Sequence, residues 1–270
     1  MLPSLLLAAC CLAVQDAPPA AETPTETTAA VRSFLTEAEA NLYDPIAAGL
    51  SSLEFDVAID LPQVGVIGTS HVTWSGDGGV NVSVARNEAA TLPPGFSPEM
   101  AEMTGRQMAT QLLGAMLNKP ITPMLDDAIA VMDGVEDGQV KVRFHIAAAT
   151  EQGVQEQAMF FDEDGVLQRM RVVAEVDSPM GKMKVTQTQA FSWRPASEGS
   201  DRLLPAGQQS VADMGMFKVT GSTSFTHTTV NGILLATAMT TTQSVPMSPE
   251  PVVQTLAATN VLVNGQALGG

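Results

Sequence analysis

The sequence predicts an α+β protein: a strongly curved antiparallel sheet, an unclosed barrel of about nine to eleven strands, covered by one or two helices. Three observations carry that expectation. Apolar and polar residues alternate in segment after segment between positions 52 and 242. Short Gly-, Asp- and Asn-rich turns separate those segments, and parallel neighbours would instead need crossovers of about a dozen residues or more. Only two stretches show helical spacing, and one of them is rich in methionine and largely uncharged. A sheet of this size curls and must cover one face, and that helix is its natural cover.

Composition narrows the function classes. The 270 residues are 45% hydrophobic and 16% charged, enough apolar side chain to offset the entropy of ordering and to exclude a disordered polyampholyte. The 29 acids and 13 bases leave a net charge of −16. A nucleic acid would be repelled by such a surface, so no nucleic-acid partner is expected.

The chain opens with an apolar run over residues 5–14. A bilayer-spanning helix needs about 20 apolar residues, and this run has the length of a signal-peptide core. Two cleavage readings stand side by side. A signal peptide over 1–13 would be cut after Ala13, whereas Leu7-Ala8-Ala9-Cys10 reads as a lipobox cut before Cys10, which would then carry the lipid. Met1-Leu2-Pro3-Ser4 lacks the usual basic residue. Either way the expected location is extracytoplasmic: the periplasm, or an envelope membrane through a Cys10 anchor. Cys10 and Cys11 are the only cysteines, so the body holds no disulfide, thiolate nucleophile or cysteine–zinc site. Residues 14–28, made of Pro, Ala, Thr and acid, read as a disordered tether.

The body, residues 29–245, reads as one domain. Val31, Phe34, Leu35, Ala38 and Leu42 predict a first helix, ended near Tyr43 by Pro45. Leu53, Phe55, Val57 and Ile59 then alternate with Glu54, Asp56 and Asp60 as a half-buried strand. A run over 66–74 turns at 75–79 into Val80, Val82 and Val84. Ser97 is the expected N-cap of the second helix, with Pro98 at its first position and an end near Leu117. Strands follow over 128–132, turning at Asp133-Gly134 and Asp137-Gly138 into 140–146, then over 157–161, 166–176, 183–193, 214–230 and 233–242. Asn231-Gly232 marks the last hairpin. Residues 246–270 form a tail without an assigned element.

This order is a helix, a strand reading Ser-Leu-x-Phe-x-Val, a hairpin with Trp74 and Gly79, a helical insertion, and hairpins ending in Val230-Asn231-Gly232-Ile233-Leu234-Leu235. It resembles the periplasmic lipoprotein-carrier superfamily, the LolA/LolB type. The resemblance implies an unclosed antiparallel barrel lidded by helices, sheltering acyl chains in an apolar hollow.

The residues expected to line such a hollow are Met100, Met103, Met108, Leu112 and Met116, joined by Phe55, Val57 and Trp74. Thioethers adapt to irregular apolar shapes, although the same stripe also reads as plain core packing. Lys141, Arg143 and His145, Arg169 and Arg171, and Lys182 and Lys184 form basic positions on three strands. They read either as a stripe meeting anionic partners or as an ordinary solvated face. The acidic turns at 133–138 and 162–165 lack calcium-loop spacing, and turn chemistry accounts for them. His71, His145 and His227 stand apart in the sequence, and no nucleophile elbow, phosphate loop or dinucleotide fingerprint occurs. The expectation is a non-enzymatic envelope protein that binds a lipid or lipoprotein acyl chain, with no cofactor and no metal. The alternative is an envelope scaffold with a filled core, whose protein partner is unknown.

Overall fold

The computed structural model describes residues 26–267 except 62–63, 94, 119–121, 127, 147–149, 151–152, 179–180, 216 and 247–249. The expected signal segment, Cys10, Cys11 and the start of the tether lie outside the described residues. Helix α1 (Glu26–Glu39) precedes β1 (Ser52–Leu61), β2 (Gly65–Ser75) and β3 (Val80–Arg86). Helix α2 (Pro98–Leu117) follows. The chain then runs through β4 (Ile129–Glu136), β5 (Gln139–His145), β6 (Val154–Phe161), β7 (Leu167–Ser178) and β8 (Gly181–Pro195). It ends with β9 (Leu203–Asp213), β10 (Lys218–Val230), β11 (Ile233–Ser244), β12 (Val252–Val263) and the two-residue β13 (Gln266–Ala267).

All of these strands belong to one antiparallel sheet, ordered β3-β2-β1-β12-β11-β10-β9-β8-β7-β6-β5-β4, with β13 against β12. Its two ends do not meet. The tail that the sequence left unassigned is therefore a central strand, and the domain runs well past residue 245. β12 first pairs β11, with Ala238 opposite Ala257 and Gln243 opposite Val252. It then crosses to β1, with Val57 opposite Ala258 and Leu53 opposite Val263. Asn260 turns left-handed at that transition (φ 53°), where the β1–β12 register slips by one residue. A bulge there bends the strand from one neighbour to the other.

Local chemistry explains most element limits. Ser97 Oγ accepts the Met100 amide at 3.2 Å, and Asn118 closes α2 in the left-handed region, which satisfies groups that a helix end leaves unpaired. Asn231 (φ 51°) and Gly232 (φ 80°) form the β10–β11 hairpin. Besides β12 and β9, the latter in a stretch without an expected strand, two element limits differ from expectation. α1 stops at Glu39, because residues 41–43 are drawn into contact with the start of β9: the Tyr43 amide donates to the Leu203 carbonyl at 2.9 Å, and the Leu203 amide to the Asn41 carbonyl. Asp133-Gly134 does not turn the chain; it is a bulge inside β4, between Met132 and Val135.

Both helices lie on the same side of the sheet and define two apolar clusters. α2 sits over one end, where Phe55, Val57, Val72, Trp74, Leu235, Leu256 and Val263 are buried with Met108, Leu112 and Met116. At the other end Val31, Leu35 and Ala38 of α1 pack with Ala130, Val142, Phe144, Met159 and Phe161. Phe34 meets Phe161 edge-on, with ring centroids 5.1 Å apart. Between the clusters a row in register runs Phe191, Gln208, Thr223, Thr241, Gln254 across five strands. Thr223 and Thr241 share a hydroxyl hydrogen bond of 3.0 Å. From Gln208 to Gln254 this row is polar.

Candidate functional site

The α2 end of the sheet is the site the sequence points to. Buried positions on α2 are Ala101, Gly105, Met108, Ala109, Leu112, Leu113, Met116 and Leu117, a stripe at helical spacing. Met108, Leu112 and Met116 face the sheet as expected and join Phe55, Val57 and Trp74 in one packed cluster. Met100 and Met103 do not. They are 38% and 61% exposed, because at about 100° per residue they fall on the side of the helix opposite Gly105 and Leu112. The lining expected from the sequence is therefore confined to the second half of α2, and there the side chains themselves fill the space beneath the helix.

Gly105 sets how closely α2 approaches. A Cβ at this position would meet Ser70 Oγ at 2.8 Å and Ile59 Cγ1 at 3.1 Å, with Ile59 Cδ1 nearer still. Only hydrogen fits, so helix and sheet touch here. Ser70 is fully buried, and its hydroxyl has no partner among the described residues. Polar ties between α2 and the sheet are few among the described residues: Arg106 Nη1 donates to the Val82 carbonyl at 2.6 Å. Glu102 holds that guanidinium at 2.8 Å. At the far end the Asn118 amide group reaches the Tyr43 carbonyl at 2.9 Å.

A pocket of about 230 Å³ opens beside the first turn of α2. Ile59, Ile67, Val84 and Ala101 supply its apolar wall, with Arg86, Glu99 and Glu102 also lining it. A second cavity of about 470 Å³ lies where β1 and β12 part, against Leu61, Val64, Val253 and Thr255. Val64, Val66, Val252 and Val253 are exposed around that gap.

Of the basic positions read as a stripe or a solvated face, Lys141, Arg169, Arg171 and Lys182 are paired with acids in place. Lys141 lies 3.1 Å from Asp133 and 3.2 Å from Glu156. Arg171 contacts Glu136 at 2.6 Å and Glu156 at 2.8 Å, and Arg169 contacts Asp137 at 3.1 Å. Both arginines cover the buried ring of Phe160, at 4.0 and 4.9 Å from its centroid. The hydrogen bond from Arg171 holds the Glu136 carboxyl below its ordinary range. Burial opposes ionisation of Glu156, yet Arg171 and Lys141 outweigh it and keep that carboxyl low as well. Lys182 pairs with Glu175 at 2.7 Å. Cross-strand register creates these pairs, so a linear reading of the bases alone missed them.

His71 is not solitary either. Its Nδ1 lies 2.8 Å from Asp56 Oδ1, and Asn260 donates to the other oxygen of Asp56 at 2.8 Å. Burial resists charge on Asp56, but Asn260 and His71 win and hold its carboxyl low. His227 is partly buried, and Nδ1 has no partner among the described residues. Burial, with Arg194 nearby, pushes its pKa down to about 4. The described residues hold no cluster of three or more His, Cys, Asp or Glu placed to bind a metal ion. The acidic turn at 162–165 works as turn chemistry: the Asp162 carboxylate accepts the amides of Asp164 and Val166. No helix among the described residues is long and apolar enough to cross a membrane. Compared with protein-family models and with curated proteins, the chain matches none.

Proposed function

We propose that this protein is an exported, non-enzymatic binding protein that shelters a lipid or lipoprotein acyl chain between α2 and the curved sheet. One observation carries the reading: the pocket walled by Ile59, Ile67, Val84 and Ala101 opens beside α2 onto the apolar layer that the helix covers. Drug-sized ligands occupy about 300–1,000 Å³, so the pocket as it stands takes only the end of a chain. Further methylenes are accommodated as α2 lifts. Its methionines repack, its polar ties to the sheet are few among the described residues, and each buried methylene contributes about 0.8 kcal/mol.

A filled-core envelope scaffold is the second reading, and the tight burial of Met108, Leu112 and Met116 favours it. Lipid extraction and mass spectrometry of the full chain, purified under mild conditions from its native host, separate the two. Acyl lipid recovered in stoichiometric amount from the wild type, and lost from Glu102→Trp, which fills the mouth of the pocket from an exposed position, supports binding beside α2. Lipid-free protein supports the scaffold.

A further inference from the structure

The two ends of the sheet are protected very differently. β4 carries the Asp133-Gly134 bulge and a cluster of paired charges, both of which discourage strand addition. β3 reads Val80-Asn81-Val82-Ser83-Val84-Ala85-Arg86, with no proline, no bulge and no charge before its last residue. The Asn87 amide donates inward to the Ile67 carbonyl of β2. Alternation then directs the backbone groups of Ala85, Ser83 and Asn81 to β2, and those of Val80, Val82, Val84 and Arg86 to the open edge. One of these outward groups is covered: Arg106 Nη1 occupies the Val82 carbonyl.

We propose that the β3 edge is a self-association site, onto which β3 of a second copy adds antiparallel once Arg106 releases the Val82 carbonyl. Self-pairing follows from the register. Centred on Ser83, Val82 exchanges both backbone hydrogen bonds with Val84 of the second copy, and Val80 does so with Arg86. Val82 and Val84 then meet each other on the covered face with Val80 opposite Arg86 at the ends of the pair, while Ser83 meets its own equivalent on the open face. The two-fold axis sets both α2 helices on the same side, flanking the junction. Arg106, whose guanidinium reaches the Val82 carbonyl, is the α2 side chain that stands over this junction. A pair of such edges closes on itself, unlike a β3-to-β4 contact, which would propagate. The net charge of −16 opposes the approach of two copies at long range, so added salt strengthens association.

Sedimentation equilibrium on the purified full chain tests this, together with mild oxidation of Ser83→Cys. Peptide mapping separates a cross-link between the two copies of position 83 from one through Cys10 or Cys11. Dimerisation with Kd of roughly 10 μM at moderate salt, and a disulfide joining position 83 to its own equivalent, are the expected results. Arg106→Gln removes the competitor for the Val82 carbonyl and lowers Kd by about tenfold. Val84→Pro deletes an outward amide that β2 does not use and abolishes the dimer, while circular dichroism reports the fold intact. Monomers at every concentration in both wild type and Arg106→Gln overturn the proposal. So does a dimer in which Ser83→Cys forms no such cross-link and Arg106→Gln changes nothing.

Discussion

Replacing Leu112 by Ala, beside Met103 replaced by Ala, asks which face of α2 meets the sheet and how rigidly. Leu112 is fully buried, whereas Met103 is on the outer side. Leu112→Ala removes about three methylene equivalents, worth about 2.4 kcal/mol of transfer free energy. The cavity left behind brings such losses to about 2.7–5 kcal/mol where neighbours cannot collapse. Phe55, Val57, Trp74 and Leu235 form the fixed wall here, while Met108 and Met116 are able to follow the missing atoms. The expected loss is therefore about 3 kcal/mol. Met103→Ala removes no buried contact and improves helix propensity slightly, so its effect stays within about 0.5 kcal/mol. Equilibrium unfolding in urea reads both. With a slope of about 2–3 kcal/mol per molar, Leu112→Ala lowers the midpoint by about 1 M and Met103→Ala leaves it unchanged. Equal losses, or a larger loss at Met103, would refute the helix orientation on which the site depends.

Gly105→Val forces a branched side chain against Ile59 and Ser70 and costs at least about 2 kcal/mol, read as a fall in melting temperature. The carboxyls of Glu136 and Glu156 are held low. Their contribution to stability is present above the ordinary carboxylate pKa of about 4.3 and is lost as pH falls through their folded values. Thermal melts from about pH 6 down to about pH 2 show that slope, and Glu136→Gln shallows it. His227 has a folded pKa of about 4 against an unfolded value of about 6.5. Folding thus expels its proton, and stability declines as pH drops from about 6.5 towards about 4. That gap corresponds to about 3 kcal/mol for full burial and about half as much for a ring that keeps some solvent; His227→Gln removes this slope. Cys10→Ala abolishes incorporation of labelled fatty acid if the lipobox reading is right, and leaves it unchanged if the chain is cut after Ala13.

Elements with their own chemistry are legible in the sequence itself. Ser97, Pro98 and Leu117 mark α2, Asn231-Gly232 and Asp162-Gly165 mark hairpins, and the alternation from Leu53 to Ile59 marks β1. What the sequence hid depends on neighbours. β9 and β12 alternate weakly, through residues such as Gln208, Gln209, Ser210, Thr255 and Asn260, and are strands because partners on both sides pair their backbones. Their inclusion, together with the two-residue β13, brings the sheet to thirteen strands. Asp133-Gly134 carries the signature of a turn, yet Met132 and Val135 both stay paired with β5. The apolar face of α2 was drawn too wide because Met100 and Met103 share residue type, not angular position, with Met108 and Met116. Likewise, the company of Asp56 for His71, and of Glu136 for Arg171, exists only once strands are in register.

Hydrogen exchange followed by mass spectrometry, with and without a long-chain lysophospholipid, bears most directly on an acyl site beneath α2. Binding changes the exchange of residues 98–117 and of the facing strands β1 and β2, and leaves β5 to β8 as they were. Identical exchange over residues 98–117 at saturating lipid would contradict the account.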